Sequence, residues 1–273
     1  MALTKEQVLK QYFGYDKFRP LQADIIDWVL YGQDCMVLMP TGGGKSLCFQ
    51  VPALMMQGIT IVISPLIALM HDQVQALQAN GIPSAYINSS LSGTERFAIE
   101  RQCKAGEIKL LYISPEKLFS NGYLDWIKSL QVSMVAVDES HCVSVWGHDF
   151  RPEYTQLHVL KSALPSVPFI ALTATADRVT RKDILTQLGI PEARIFISSF
   201  DRPNLSLSVQ PGRNRLKTIQ KFIQERPRKA GIIYCLSRKN TEQLADSLLK
   251  VGISARCYHA GMSTDERAKV QDQ

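Results

Sequence analysis

The chain has 273 residues, of which 45% are hydrophobic and 21% charged, a composition typical of a globular protein with a large core. No apolar run reaches the roughly 18 residues needed to cross a bilayer, and the N-terminus lacks a secretion signal, so we expect no membrane partner. The net charge of +6 is uneven: residues 1–206 hold 18 basic and 19 acidic side chains, and residues 207–273 hold 13 and 6. Charge alone allows either a solvated basic face or one wall of a groove for a phosphate backbone.

The predicted elements alternate between short apolar strands and helices. A first helix begins after Thr4, which has capping-box spacing to Gln7, and a second follows Pro20. Five apolar runs are predicted as strands, at 35–39, 59–63, 110–113, 134–137 and 169–172. Helices are predicted between them, at 46–56, 66–80, 91–104 and 153–164. Because these strands are apolar throughout, the pattern predicts a doubly wound, mainly parallel α/β sheet that is covered on both faces.

The pattern changes near residue 206, where a Pro-containing connection precedes a basic helix. We therefore predict a first domain at 1–206 and a second unit at 207–273. Further strands are predicted at 231–235 and 253–258, and further helices at 241–250 and 263–273. Because the second unit is short for an independent domain, we expect it to be truncated.

A Gly-rich loop at residues 39–46, here called the phosphate loop, lies between the first predicted strand and a helix. Consecutive glycines let backbone N–H groups surround phosphate oxygens, and the helix N-terminus adds a favourable dipole. We expect Lys45 to reach the β- and γ-phosphates of a nucleotide and the Ser46 hydroxyl to ligate Mg²⁺. The nucleotide-binding residues predicted in this loop are Thr41, Gly42, Gly43, Gly44, Lys45 and Ser46.

Two carboxylates, Asp138 and Glu139, follow the apolar strand predicted at 134–137 and are here called the acidic pair. Most such pairs are simply solvated, but a phosphate loop needs an acidic partner for its metal. In that context we expect Asp138 to support Mg²⁺ and Glu139 to orient or deprotonate the attacking water. The combination predicts hydrolysis of a nucleoside triphosphate such as ATP.

Residues 138–141 read Asp-Glu-Ser-His and resemble the D-E-x-H box of superfamily-two helicases, which are ATP-driven nucleic-acid motors. The catalytic residues that this resemblance implies are Lys45, Asp138, Glu139 and His141. Thr173 and Thr175 lie in a Thr-Ala-Thr segment that resembles the motif coupling hydrolysis to the nucleic-acid groove. Ser64 and Ser114, each followed by proline, resemble two motifs that contact the nucleic-acid backbone.

A narrower resemblance, to RecQ-type DNA helicases, covers essentially the whole chain. Residues 13–15 (Phe-Gly-Tyr) and 18–22 (Phe-Arg-Pro-Leu-Gln) resemble motif 0 of that family, which recognises adenine. The resemblance implies that Tyr15 stacks on the base, that Gln22 reads its edge and that Arg19 assists.

Residues 144–152, here called the aromatic loop, resemble the aromatic-rich loop of RecQ helicases. Exposed aromatic side chains beside an arginine suit base stacking and phosphate contact. Taken alone, Trp146 and Phe150 suit a hydrophobic core as well. The DNA contacts that the resemblance implies in this loop are Trp146, His148, Phe150 and Arg151.

The resemblance implies a first RecA-like lobe followed by an incomplete second one. It also implies ATP and Mg²⁺ as cofactors, 3′-to-5′ movement on DNA, single strands and duplex junctions as partners, and a cytoplasmic or nuclear location. Motifs V and VI, whose arginines complete the ATP site, do not occur among the 273 residues. We therefore expect this chain to bind ATP but to be impaired in hydrolysis and unwinding.

Three alternatives stay open: an RNA-remodelling ATPase of the same superfamily, a small-molecule kinase with a phosphate loop, and a non-catalytic nucleotide- or DNA-binding module. The six cysteines are scattered without C-x-x-C or other metal-ligand spacing. We therefore expect reduced thiols and no zinc site within the chain.

Overall fold

A computed structural model describes residues 3–88, 91–120, 122–147, 149–200 and 205–271. It separates into two compact units, Met1–Arg202 and Pro203–Gln273. Among the described residues, no helix combines the length and the apolar character that a membrane span requires.

The first unit is built on a seven-stranded sheet in the order β3-β4-β2-β5-β6-β1-β7. The strands are β1 (Cys35–Leu38), β2 (Ile59–Ile63), β3 (Ser84–Ile87), β4 (Leu110–Ile113), β5 (Val132–Val137), β6 (Phe169–Thr173) and β7 (Arg194–Ile197). All six neighbouring pairs are parallel. The loops that follow the strands therefore lie along a single edge of the sheet.

Nine α-helices are described in the first unit. They are α1 (Lys5–Phe13), α2 (Gln22–Leu30), α3 (Leu47–Met55), α4 (Ile67–Ala79), α5 (Gly93–Lys104), α6 (Pro115–Leu118), α7 (Tyr123–Lys128), α8 (Leu157–Ala163) and α9 (Arg178–Gln187). Short 3₁₀ helices cover Ser140–Val143 and Pro152–Gln156. The capping box predicted at Thr4 is confirmed, because Thr4 accepts from the Gln7 backbone and the Gln7 side chain accepts from the Thr4 backbone.

The core lies on both faces of the sheet, because consecutive strand residues point to opposite sides. Met36 belongs to one apolar cluster and its neighbour Val37 to the other, and both are fully buried. This two-sided burial explains why the central strands are apolar throughout. The predicted parallel α/β sheet is confirmed.

Two strands and part of one helix differ from the sequence prediction. The prediction missed β3 and β7, which are the two edges of the sheet. Only Phe196 of β7 is buried, so its exposed residues hide the continuous apolar run that marks a central strand. The helix predicted at 153–164 is divided into the 3₁₀ helix Pro152–Gln156 and α8.

The second unit contains the helices α10 (Arg215–Gln224), α11 (Arg238–Lys250) and α12 (Thr264–Gln271). The strands predicted at 231–235 and 253–258 are wrong, since the described part of this unit contains no strand. Ile232 and Tyr234 are 81% and 92% exposed. A strand forms only where a neighbour completes its hydrogen-bond ladder, and an apolar run alone does not supply one.

Candidate active site

The phosphate loop connects β1 to α3, and each of its three glycines is constrained. Gly42 and Gly44 have φ angles of +77° and +85°, a conformation that residues with a side chain rarely adopt. A Cβ on Gly43 would lie 2.8 Å from the Pro40 carbonyl oxygen. The run of glycines is therefore a backbone requirement of the loop.

Three side chains donate hydrogen bonds to backbone carbonyls of the phosphate loop. Lys45 Nζ donates to the Met39 carbonyl at 3.1 Å, and Gln22 Nε2 donates to the Gly44 carbonyl at 3.0 Å. The Arg19 guanidinium donates to the Gly42 carbonyl. The structure thus brings the motif 0 residues against the phosphate loop, as expected for one nucleotide site.

Gln22, the side chain expected to read adenine, has both atoms of its amide group hydrogen-bonded. Gln22 is 1% exposed, and its Oε1 accepts from the Arg19 backbone N–H at 2.8 Å while Nε2 contacts the phosphate loop. Tyr15 is 53% exposed and offers an open aromatic face. In this conformation Tyr15 is available for stacking, whereas Gln22 would have to exchange its bond to Gly44 for one to a base.

The acidic pair extends β5 at the same edge of the sheet. The Asp138 backbone N–H donates to the Ile63 carbonyl at 2.9 Å, so the pair lies at the end of β2. Burial, followed by the Glu139 charge, raises the pKa of the Asp138 carboxyl to about 6, and the Lys45 charge acts in the opposite direction. The acidic pair and the phosphate loop therefore influence each other electrostatically.

These residues fit a hydrated divalent cation. The Ser46 hydroxyl stands at the start of α3, and the Asp138 carboxylate is 6% exposed, so both are oxygen ligands of the kind that Mg²⁺ prefers. A nearby cation would favour the ionised form of a carboxylate whose pKa is otherwise raised.

A line of polar side chains leads from the acidic pair to the segment after β6. His141 Nδ1 lies 3.3 Å from a Glu139 carboxylate oxygen and 3.0 Å from the Thr173 hydroxyl. The Thr173 hydroxyl accepts from the Thr175 backbone N–H at 3.2 Å. Glu139 has a positive φ of 47°, so the backbone is sharply turned where this line begins. His141 of the Asp-Glu-Ser-His box and Thr173 of the Thr-Ala-Thr segment are therefore in contact.

The aromatic loop begins directly after the 3₁₀ helix Ser140–Val143, which follows the acidic pair. Trp146 is 71% exposed and Phe150 is 38% exposed, so neither is a core residue. Arg151 Nη1 donates to the Pro65 carbonyl at 3.1 Å, and Nη2 to the Asp149 carboxylate at 3.4 Å. The loop is thereby attached to the segment after β2.

Two of the remaining predicted contacts are buried, and one lies outside the described residues. Ser64 is 1% exposed, and its hydroxyl has no hydrogen-bond partner within the described ranges. Ser114 is 5% exposed and accepts from the Lys117 backbone N–H as the cap of α6. Thr175 is exposed. His148 lies outside the described residues.

Sequence reasoning missed the role of Gly147 in shaping the aromatic loop. A Cβ at this position would lie 2.2 Å from the His141 carbonyl oxygen. The loop therefore passes close to the 3₁₀ helix Ser140–Val143, which follows the acidic pair. The signal was the single glycine inside an otherwise bulky stretch. It was available in the sequence, but the distance was not.

Within the described ranges, one group of side chains is compact enough to hold a metal ion through His, Cys, Asp or Glu. It consists of His141, Cys142 and Asp149, whose ligand atoms lie within 4.8 Å of one another. Burial, followed by the Asp149 charge, raises the pKa of the Cys142 thiol to about 12, which opposes the thiolate that zinc requires. The absence of a zinc site stays a prediction.

A parallel sheet with a glycine-rich loop after β1 and an acidic pair after β5 defines a phosphate-loop nucleoside triphosphatase with a RecA-like fold. The sequence profile of the DEAD/DEAH box helicases matches residues 19–184. The chain belongs to the DEAD/DEAH box helicase family.

Within that family the chain is similar to RecQ proteins. It is 49% identical over 268 residues to the ATP-dependent DNA helicase RecQ of Pasteurella multocida (strain Pm70), covering 98% of this chain and 42% of that protein. It is 43% identical to the RecQ of Bacillus subtilis (strain 168), covering 100% of this chain and 46% of that protein. The chain thus spans less than half the length of these relatives.

A solved structure supports the fold. The Mycobacterium smegmatis helicase Lhr, bound to single-stranded DNA and AMP-PNP, superposes with a TM-score of 0.61 at 21% identity. The superposition covers 97% of this chain and 39% of that one.

Proposed function

We propose that the chain is the ATP-binding part of a RecQ-type DNA helicase, in which ATP hydrolysis drives movement along single-stranded DNA and unwinding of duplexes. The observation that carries this proposal is the continuity from the acidic pair to the aromatic loop. Gly147 crosses over the His141 carbonyl, and His141 in turn contacts Glu139. The exposed Trp146, proposed to stack on bases, therefore lies next to a residue whose neighbour His141 contacts Glu139, the carboxylate proposed to activate water.

ATP binding would replace internal bonds of the phosphate loop with bonds to the nucleotide. The Lys45 ammonium would leave the Met39 carbonyl for the phosphates, and Gln22 would exchange the Gly44 carbonyl for the adenine edge. Tyr15, which is 53% exposed, would cover the base. Each exchange replaces one hydrogen bond with another, so releasing the internal bonds of the loop has a small net cost.

For hydrolysis, the Glu139 carboxylate would orient the attacking water and accept its proton, while Lys45 would stabilise charge on the phosphates. Ser46 and Asp138 would hold Mg²⁺, which when bound would supply charge neutralisation for the phosphate oxygens. His141 would hold the Glu139 side chain in place and transmit its position to Thr173. The distances of 3.3 Å and 3.0 Å on its two sides support this role.

For DNA binding, Trp146 and Phe150 would stack on bases, and Thr175 would contact the backbone. The buried Ser64 and Ser114 would contribute through the loops that they shape. Arg151 is bonded to Pro65 and Asp149 in this structure, which suits it to fixing the loop before any phosphate contact. The proposed partners are single strands and duplex junctions, and the proposed location is that of chromosomal DNA, in the cytoplasm or the nucleus.

We further infer that the 273 residues alone bind ATP but hydrolyse it slowly. In this enzyme class an arginine supplied from another segment can contribute about 10³–10⁵ to the rate. The RecQ resemblance assigns such arginines to motifs V and VI, which do not occur in this sequence. Equal DNA-stimulated turnover by the 273 residues and by a protein extended through those motifs would contradict this inference.

The test of the proposed function is ATP hydrolysis by the full-length protein with no polymer, with single-stranded DNA and with single-stranded RNA of the same sequence. We expect strong stimulation by DNA and little by RNA. Preferential stimulation by RNA would favour an RNA-remodelling ATPase. Nucleotide binding without hydrolysis under any condition would favour a non-catalytic module, and transfer of phosphate to a small molecule would favour a kinase.

The direction of movement has a separate test. We propose 3′-to-5′ polarity, so a duplex with a 3′ single-stranded tail should be unwound much faster than the same duplex with a 5′ tail. The reverse preference would refute the polarity and leave the ATPase proposal intact.

A further inference from the structure

Ser144 occupies a buried position at the start of the aromatic loop and has two partners there. The residue is fully buried. Its hydroxyl donates to the Asp183 carboxylate at 2.5 Å and accepts from the Trp146 backbone N–H at 3.2 Å. A single hydroxyl therefore connects the backbone of the most exposed tryptophan to the helix α9.

The helix that carries Asp183 is itself anchored. Asp177 caps α9 by accepting from the Thr180 backbone N–H, and Ile184 and Leu185 are buried in the core. The second carboxylate oxygen of Asp183 accepts from Gln187 Nε2 at 3.4 Å. Asp183 is thus a fixed acceptor, held by a helix that follows the Thr173–Thr175 segment.

We propose that Asp183 is a positioning residue for DNA coupling, which holds Trp146 at the DNA-facing edge through the hydroxyl of Ser144. Trp146 is 71% exposed, so side-chain packing does little to fix it. A charge-assisted hydrogen bond from a buried hydroxyl is strong enough to define the backbone instead. The proposal deepens the proposed function, because it rests on Trp146 as the residue that contacts DNA.

The alternative role for Asp183 is purely electrostatic. A negative charge near the DNA path would repel phosphates, and removing it by any substitution would strengthen DNA binding. The two roles predict opposite changes, so substitutions at this position separate them.

The experiment measures DNA-stimulated ATP hydrolysis by the full-length protein and determines the DNA concentration for half-maximal stimulation. Asp183→Ala and Ser144→Ala should each raise that concentration about tenfold, the effect typical of losing a hydrogen bond to a charged group. Asp183→Asn keeps a neutral acceptor for the Ser144 hydroxyl and should raise it only about two- to threefold. The double variant Ser144→Ala/Asp183→Ala should be no worse than either single variant, because both remove one interaction.

The matched control is Thr186→Ala on the same helix. Thr186 is exposed, and its hydroxyl donates to the Lys182 carbonyl within α9. We expect its half-stimulating DNA concentration to stay within about twofold of the wild type, as for most surface substitutions.

A spectroscopic measurement separates positioning from a general loss of structure. In the 273-residue chain with Trp28→Phe and Trp126→Phe, Trp146 is the remaining tryptophan, and its quenching by DNA reports the loop directly. Asp183→Ala should shift this quenching to higher DNA concentration while its thermal unfolding stays cooperative and begins well above the assay temperature. If Ser144→Ala lowers the melting temperature by several degrees, the two Asp183 variants decide the question without it.

Three outcomes would overturn the proposal: tighter DNA binding by Asp183→Asn and Asp183→Ala alike, additive effects in the double variant, or Asp183→Ala with wild-type DNA stimulation. A different result identifies failure of the proposed function itself. If Trp146→Ala leaves DNA stimulation unchanged, then Trp146 is not the DNA contact, whatever the Asp183 variants do.

Discussion

The phosphate loop and the aromatic loop follow strands of the same sheet, β1 and β5, but they expose opposite kinds of group. The carbonyl oxygens of the phosphate loop accept hydrogen bonds from Lys45, Gln22 and Arg19. The aromatic loop uses hydrogen bonds to fix its backbone and leaves Trp146 71% exposed. The phosphate loop has these three carbonyl oxygens bonded, whereas the aromatic loop presents an apolar surface.

The difference corresponds to the proposed ligands. In the absence of nucleotide the Lys45 ammonium needs a hydrogen-bond acceptor, and the Met39 carbonyl supplies one. Before DNA binds, the ring of a base-stacking tryptophan needs no stacking partner. Its backbone must be fixed, however, because this lowers the entropy lost on binding. Substitutions in each loop should therefore fail in different ways.

The largest effect is expected for Lys45→Ala. ATP hydrolysis should fall about 10²–10³-fold, the typical loss when one preorganised electrostatic donor is removed. The free energy of unfolding should change by no more than about 1 kcal/mol, because the lost bond is a single one to the Met39 carbonyl. Steady-state kinetics and thermal unfolding measure both, with the exposed Lys128→Ala as the matched control. Turnover within a few-fold of the wild type would refute the role of Lys45.

The next effect tests the aromatic loop through its backbone. Gly147→Ala would place a methyl group 2.2 Å from the His141 carbonyl oxygen, so the loop must shift. We expect the half-stimulating DNA concentration to rise about tenfold and the free energy of unfolding to fall by about 1–3 kcal/mol. Gly93→Ala, where a Cβ meets nothing within 4 Å, is the control and should be neutral. Wild-type behaviour of Gly147→Ala would mean that the loop has no fixed path.

Asp138→Asn should separate stability from activity. Burial raises the pKa of Asp138 from 3.8 to about 6, so the folded state binds more protons than the unfolded state between these values. In the wild type, the stability that this difference in proton binding provides is therefore lost as pH rises from 3.8 to about 6. With EDTA and without nucleotide, Asp138→Asn should therefore be more stable by about 1–3 kcal/mol at pH 7.5 and equal near pH 3.

Denaturant titrations at the two pH values measure this difference. In a separate assay with ATP and Mg²⁺, Asp138→Asn should lose hydrolysis, because it lacks the carboxylate proposed to hold Mg²⁺. Wild-type stability of the Asp138→Asn variant at pH 7.5 would show that the Asp138 carboxylate is not destabilised in the folded state.

The smallest expected effect concerns base selection. Gln22→Ala removes the side chain proposed to read adenine, so the preference for ATP over GTP in competition binding should fall about three- to tenfold, corresponding to roughly 1 kcal/mol. Gln33→Ala, an exposed glutamine beyond α2, should leave the preference unchanged. An unchanged preference in Gln22→Ala would restrict Gln22 to holding the phosphate loop.

The central sheet could be predicted from the sequence because apolar runs such as 59–63 are buried on both faces. The edge strand β7 could not, since its pattern shows a single buried residue. The apolar run at 231–235 predicts a strand, and the structure has none there. Hydrophobicity reports the tendency to be buried, but a strand also needs a neighbouring backbone, which the local sequence does not specify.

The candidate site shows the same division. Motif spacing predicts the phosphate loop and the acidic pair, because each is a set of residues close together in the chain. The bonds of Gln22 to Gly44 and of Ser144 to Asp183 join residues 22 and 39 positions apart, and no local pattern indicates them. Tertiary contacts of this kind determine how the site is held.

The most direct test of the account is the stimulation of ATP hydrolysis by single-stranded DNA in full-length Trp146→Ala, compared with Tyr31→Ala. Tyr31 is 80% exposed and lies just before β1, at the opposite edge of the sheet. We predict that Trp146→Ala raises the half-stimulating DNA concentration at least about tenfold, as expected for a lost base-stacking contact, and that Tyr31→Ala does not. Equal stimulation of both variants at wild-type DNA concentrations would contradict the claim that the aromatic loop couples DNA to the nucleotide site.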